Sequence, residues 1–302
     1  MNNLESISAE IAEPRVANFR ERAAAFGELT KPRIAFMLVL TAAAGFYLGT
    51  PRRFDPVLFF NAMLGICLLA FGVATLNQFI ERRLDALMTR TASRPLPTRR
   101  VTPNEALFFG IGLCVLAELY LFVAVNGLTA FLGLTVIVGY VLMYTPLKTR
   151  TSASTAIGAI PGAMPPLMGW TAASGEFTLG AWALFVILFL WQFPHFLAIA
   201  WMYREEYAKA GIRMLPVVEP EGRITARQIV LFSFMLLAAG LAPFFLGFAG
   251  VYYLGGALLL GGWFFFESVM AARSKTPERA RRLLLVSVTY LPLLFALMAI
   301  DH

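Results

Sequence analysis

The sequence predicts an all-α polytopic membrane protein with nine transmembrane helices. Three observations carry this. Of the 302 residues, 59% are hydrophobic and only 14% charged, whereas a soluble domain carries about 25% charged residues. Nine apolar stretches reach the ~20 residues that a helix needs to cross the hydrocarbon core. Basic residues are also segregated: of the 25 Lys and Arg, all but Arg52 and Arg53 fall in segments that alternating spans place on one side.

Along the chain, residues 1–30 lack an apolar run and mix acids from Glu5 to Glu28 with basic residues. They read as a cytoplasmic N-terminal arm, not a cleaved secretory signal. Residues 31–302 form one transmembrane domain, with spans near 33–50, 57–80, 104–124, 127–146, 153–172, 178–201, 226–247, 249–270 and 282–300. Cytoplasmic loops collect Lys and Arg, which puts the N-terminus inside and Asp301-His302 outside the membrane. Topology and attraction to anionic lipid account for the net charge of +7 without nucleic acid. The outer loops, such as Asn126-Gly127, are minimal, while those after the second and sixth spans are long and polar. The working face is therefore cytoplasmic, because loops on a rigid scaffold carry chemistry. The fifth span holds Pro161, Pro165 and Pro166. Broken helices at membrane depth are tolerated against protein or a cavity, so this span either lines a pocket or makes a close helix contact through Gly158 and Gly162. Cys67 and Cys114 both lie inside spans and read as small apolar side chains.

Asn77, Glu81 and Asp85 follow one another at four-residue steps where the second apolar stretch ends. That spacing puts them on one helical face, with the oxygen ligands that Mg²⁺ takes. The bland alternative is a solvated helix end, but Asn77 still belongs to the apolar run. Arg90 and Arg94 come next, and arginine forks match phosphate oxygens; positive-inside topology alone also predicts arginines here. Tyr144 and Lys148 close the fourth span on the same side. His195, in Trp191-Gln192-Phe193-Pro194-His195, is an ionisable group within a span and hence a functional candidate. Glu206 stands eleven residues further on, about three turns or ~16 Å along an unbroken helix, so both would face one way. Glu118 reads as a helix contact or cavity wall, and Glu267 as a partner of Arg273.

The pattern Asn77-Gln78-x-x-Glu81-x-x-x-Asp85, followed by Met88-x-Arg90-Thr91-x-x-Arg94-Pro95-Leu96, resembles the UbiA superfamily of intramembrane prenyltransferases. Leu29-Thr30-Lys31-Pro32-Arg33, Tyr144-Thr145-Pro146-Leu147-Lys148, Pro165-Pro166-Leu167-Met168-Gly169-Trp170, Trp191 to Phe196 and Ala210 to Val218 resemble its haem-farnesylating branch. The resemblance implies a UbiA-type fold with nine helices around a central cavity. It implies two acidic motifs that bind Mg²⁺ and farnesyl diphosphate, and transfer of the farnesyl group to a vinyl of haem b with addition of water, giving haem O. Haem O serves a terminal oxidase directly or passes to a haem A synthase. Carried onto this chain, the metal ligands and catalytic residues are Asn77, Glu81, Asp85 and Glu206. The substrate-binding residues are Lys31, Arg33, Arg90, Arg94, Tyr144, Lys148, His195 and Tyr207. Glu205-Glu206-Tyr207 departs from the spaced aspartates of quinone-type relatives, and Glu206 is matched because it precedes the tyrosine. The nearest rival is a polyprenyltransferase acting on an aromatic quinone precursor. A membrane transporter is the rival from another class, but its polar groups would sit near the midplane and here they crowd one surface.

Overall fold

The computed structural model describes residues 18–51 and 53–302; the expectations for residues 1–17 and for Arg52 lie outside the described residues. Among the described residues the fold is all-helical. A short helix α1 (Phe19–Leu29) precedes α2 (Pro32–Leu48) and α3 (Pro56–Asp85), and a loop leads to α4 (Pro103–Ala124). Helix α5 (Gly127–Ile137) runs through a π-helical segment (Val138–Tyr144) into α6 (Thr145–Leu147). Then come α7 (Ser154–Gly162), α8 (Met164–Ser174), α9 (Leu179–Met202), and the short α10 (Arg204–Lys209) and α11 (Leu215–Val218). Helices α12 (Arg223–Ala239), α13 (Ala242–Phe245), α14 (Val251–Ser274) and α15 (Pro277–Ile300) complete the bundle.

Local chemistry explains the helix starts. Pro32, Pro56, Pro103 and Pro277 each open a helix, where the missing N–H costs nothing. The Asp55 carboxylate accepts from the backbone N–H groups of Val57 and Leu58. Thr102 and Glu105 form a reciprocal cap at α4.

The nine expected spans are not all recovered as single long helices. Among the described residues, seven helices are long and apolar enough to cross a membrane, or eight if α1 and α2, bent by 46°, count as one. The stretch expected to be the fifth span is divided at Ala163 into α7 and α8. The physical reason is the prolines: each removes a backbone donor and crowds the preceding turn. Both readings of this segment hold. Pro161 and Pro165 line a cavity of about 100 Å³, and Gly158 and Gly162 press against Tyr144 and Gln192, where a Cβ would collide. Gln192 donates to the carbonyl of Ala159 at 2.9 Å, tying the broken segment to α9.

Helix α8 also lies closely on α2. A Cβ on Gly45 would strike the carbonyl of Pro166, and one on Gly169 that of Ala42. Large apolar side chains such as Phe60, Phe108, Phe122 and Phe266 cover the outside, as a lipid-facing surface requires. Glu267 is buried, and its partners are Arg282 at 2.7 Å and Arg279 at 3.9 Å, not Arg273. Arg273 is six residues along the same helix and turned away from Glu267, whereas the first turns of α15 return beside it. Glu118 packs on Gly133 of α5, with Oε1 unpartnered.

Candidate active site

Helix α3 runs without interruption through Asn77, Glu81 and Asp85, so the three share one stripe, and all three are buried. Two buried carboxylates need partners, because an uncompensated charge away from water is costly. Three different segments supply them. Lys31, between α1 and α2, donates to Asn77 Oδ1 at 2.9 Å. Lys148, just past α6, pairs with Glu81 at 2.5 Å. Arg94, in the loop after α3, places one guanidinium nitrogen 2.7 Å from both Asp85 oxygens.

Each partner is held in place. Lys31 has φ 48° and ψ 60°, a left-handed conformation that costs a non-glycine residue about 1–3 kcal/mol. Gln78 helps to fix it by donating to the carbonyls of Glu28 and Leu29, which draws the end of α1 onto α3. The π-helical segment sets the position of Lys148. The Thr145 N–H reaches back five residues to the Tyr140 carbonyl, widening the turn; such bulges gather at functional sites. Thr145 then accepts from Asn77 Nδ2 at 3.2 Å. The Lys148 ammonium lies 4.4 Å from the centre of the Tyr144 ring. Burial alone would lower the Lys148 pKa, but the Glu81 carboxylate beside it outweighs burial and raises it.

The second acidic segment meets the first through the loop after α3. Glu206 Oε2 accepts from the Arg90 backbone N–H at 3.2 Å, and the Arg90 guanidinium lies 5.2 Å from the Tyr203 ring centre. Tyr207 packs with Met88, Ala210, Ile212 and Met214 beneath that loop. Arg33 is exposed and makes no hydrogen bond or ion pair with the others among the described residues. The expected shared face of His195 and Glu206 fails, because α9 ends at Met202 and Tyr203 (φ −109°, ψ 22°) turns the chain. Pro194 lies inside α9 without ending it. His195 faces α15, with Nδ1 2.7 Å from Ser287 Oγ and its ring stacked on Trp191 at 4.4 Å.

Among the described residues, no three His, Cys, Asp or Glu side chains gather into a ready-made metal cluster. The stripe instead offers two carboxylates and an amide oxygen beside three cationic groups. That donor set suits Mg²⁺, which takes one or two carboxylates and completes its shell with water and substrate phosphates. Below Lys31 the cavity is apolar, walled by Ala35, Ile66, Leu69, Val73 and Met168, with Tyr140 near the polar end.

Residues 38–295 match the model of the UbiA prenyltransferase family. The chain belongs to that family. It is 47% identical, over 91% of its length and 97% of the relative's, to protoheme IX farnesyltransferase of Solibacter usitatus. Two solved structures share the fold at low identity. One is digeranylgeranylglyceryl phosphate synthase, with a TM-score of 0.78 at 16% identity, covering 93% of this chain and 98% of the other. The second, a UbiA homologue from Archaeoglobus fulgidus bound to GPP and Mg²⁺, has a TM-score of 0.66 at 18% identity over 91% and 99% of the two chains. The fold is thus the expected all-α UbiA-type membrane fold.

Several site neighbours carry no signal of their own in the sequence. Thr145 and Gln78 lay inside the family strings but carried no separate signal. Ser287, 92 residues from His195, had none.

Proposed function

We propose that this protein transfers the farnesyl group of farnesyl diphosphate to a vinyl group of haem b, with addition of water, giving haem O and diphosphate. The observation that carries this reading is the buried stripe of Asn77, Glu81 and Asp85, matched by Lys31, Lys148 and Arg94, with Lys31 also lining an apolar cavity. Its likeness to a named protoheme IX farnesyltransferase at 47% identity selects the acceptor.

Asn77, Glu81, Asp85 and Glu206 would hold Mg²⁺ together with the diphosphate. Bound there, the ion supplies Lewis-acid neutralisation of the leaving group. Lys31, Lys148, Arg90 and Arg94 donate to the remaining phosphate oxygens through charge-assisted hydrogen bonds. Their positive charge favours the transition state, in which the allylic C–O bond breaks and its electron pair goes to diphosphate. Ile66, Leu69, Val73 and Met168 enclose the isoprenoid tail and keep water from the allylic cation until the vinyl carbons attack. The new cation beside the porphyrin ring is captured by water, which loses a proton. No strong protein nucleophile is required, so a Ser-His or Cys-His pair is unnecessary. His195 ligates the iron of haem b and so orients the vinyl. Arg33 and Tyr207 complete the rim.

In this reading the site faces the cytoplasm, with the N-terminal arm inside and the C-terminus outside the inner membrane. The product passes to a haem A synthase or a terminal oxidase. Incubation with haem b or 4-hydroxybenzoate, each with farnesyl diphosphate and Mg²⁺, tests the acceptor: farnesylated haem supports the reading, and farnesylated benzoate alone contradicts it.

A further inference from the structure

We infer that Ser287 is a positioning residue for His195: it fixes the imidazole as the Nδ1–H tautomer, leaving the Nε2 lone pair for the haem iron. The inference rests on the haem reading above, but its argument comes from hydrogen-bond arithmetic. A serine hydroxyl has one proton and two lone pairs. The Ser287 proton is already committed, because Oγ donates to the Leu284 carbonyl at 2.6 Å. At 2.7 Å from His195 Nδ1, Oγ can then act only as acceptor, so Nδ1 must carry the hydrogen. A neutral imidazole with Nδ1–H has a bare Nε2.

The surroundings hold that arrangement. Ser287 is fully buried, so water does not compete for its hydroxyl. Trp191 stacks on the imidazole and donates its indole N–H to the Ser287 carbonyl at 2.8 Å, clamping both partners. Nε2 has no hydrogen-bond partner among the described residues and is not one of the enclosed unpartnered atoms. His195 lies on a partly exposed row of α9 with Trp191 and Ile199. Metal-ligating histidines commonly donate their other ring N–H to an oxygen acceptor that sets ring orientation and ligand basicity. Ser287 stands where that acceptor belongs.

The test is a cavity variant read by haem spectroscopy. His195→Gly protein loaded with haem b is titrated with imidazole and with 1-methylimidazole, each referenced to its binding to free haem in the same detergent. Only imidazole carries an N–H for Ser287. It is expected to restore the histidine-type spectrum at concentrations roughly tenfold lower, the worth of one buried hydrogen bond. In His195→Gly/Ser287→Ala that preference should disappear; a preference unchanged by Ser287→Ala overturns the inference while leaving iron ligation standing. With His195 in place, Ser287→Ala should lower the iron–histidine stretching frequency, and an unshifted band also overturns it. If the parent protein binds haem b with no histidine signature, the iron reading falls and this inference with it.

Discussion

Replacing Glu81 by Gln separates structural from chemical roles, because the two should respond differently to a second change. Glu81 and Lys148 are 2.5 Å apart, with side chains only 9% and 14% exposed. Breaking such a buried pair by removing one partner costs about 3–5 kcal/mol, since the other charge is stranded. Lys148 keeps the Tyr144 ring at 4.4 Å, a contact worth about 1–2 kcal/mol when desolvated. That contact is present in both proteins and does not offset the loss, so the expected net loss for Glu81→Gln is about 3–5 kcal/mol. Adding Lys148→Met removes the stranded charge, and a double-mutant cycle should show most of that loss restored. Turnover should not return, because the double variant lacks both the carboxylate proposed to hold the metal and the ammonium proposed to bind phosphate; both variants should stay at least ~10²-fold below the parent, the scale of losing one electrostatic contact to a developing charge. The assay pairs thermal unfolding in nanodiscs with mass-detected haem farnesylation at saturating Mg²⁺. Recovery of turnover in the double variant to within tenfold of the parent would refute a ligand role for Glu81. Unchanged stability in Glu81→Gln would refute the buried pair.

Further outcomes follow from the same geometry. Asp85→Asn should reduce turnover by at least ~10²-fold, measured at limiting Mg²⁺; a parental rate removes Asp85 from the site. Arg94→Lys keeps the charge but loses the planar fork, so KM for farnesyl diphosphate should rise about tenfold or more, read from initial rates. His195→Ala should weaken haem binding and spare farnesyl diphosphate, checked by separate titrations of the two substrates. Gly169→Ala drives a methyl group into the Ala42 carbonyl; this overpacking should destabilise the bundle by about 1–3 kcal/mol, seen as a lower unfolding temperature.

The sequence made the acid stripe legible because spacing within one helix is a local property: α3 continues through Asp85, so four-residue steps give one face. The membrane class was legible from composition, and the break in the fifth stretch from its prolines. Pairings across the bundle were not legible. Lys31 reaches Asn77 over 46 residues, Lys148 reaches Glu81 over 67, and His195 meets Ser287 over 92. No periodicity encodes such distances; they follow from how the helices pack. The same limit explains the two misreadings. Proximity in sequence points Glu267 to Arg273, whereas α15 brings Arg279 and Arg282 back to it. Helical spacing alone puts Glu206 on the face of His195, but α9 ends before Tyr203, a turn without proline or glycine to announce it. The π-helical segment is similarly silent in sequence, although it decides where Thr145 stands.

In the proposed reaction a metal-bound diphosphate leaves from the α3 stripe while a haem vinyl traps the isoprenoid. The most direct measurement is the mass of haem recovered after purified protein is incubated with haem b, farnesyl diphosphate and Mg²⁺, with and without chelator. The expected product is haem that has gained one farnesyl group and one hydroxyl, and none should form once the metal is sequestered. Haem of unchanged mass while pyrophosphate is released, or full product formation in the presence of chelator, would contradict it.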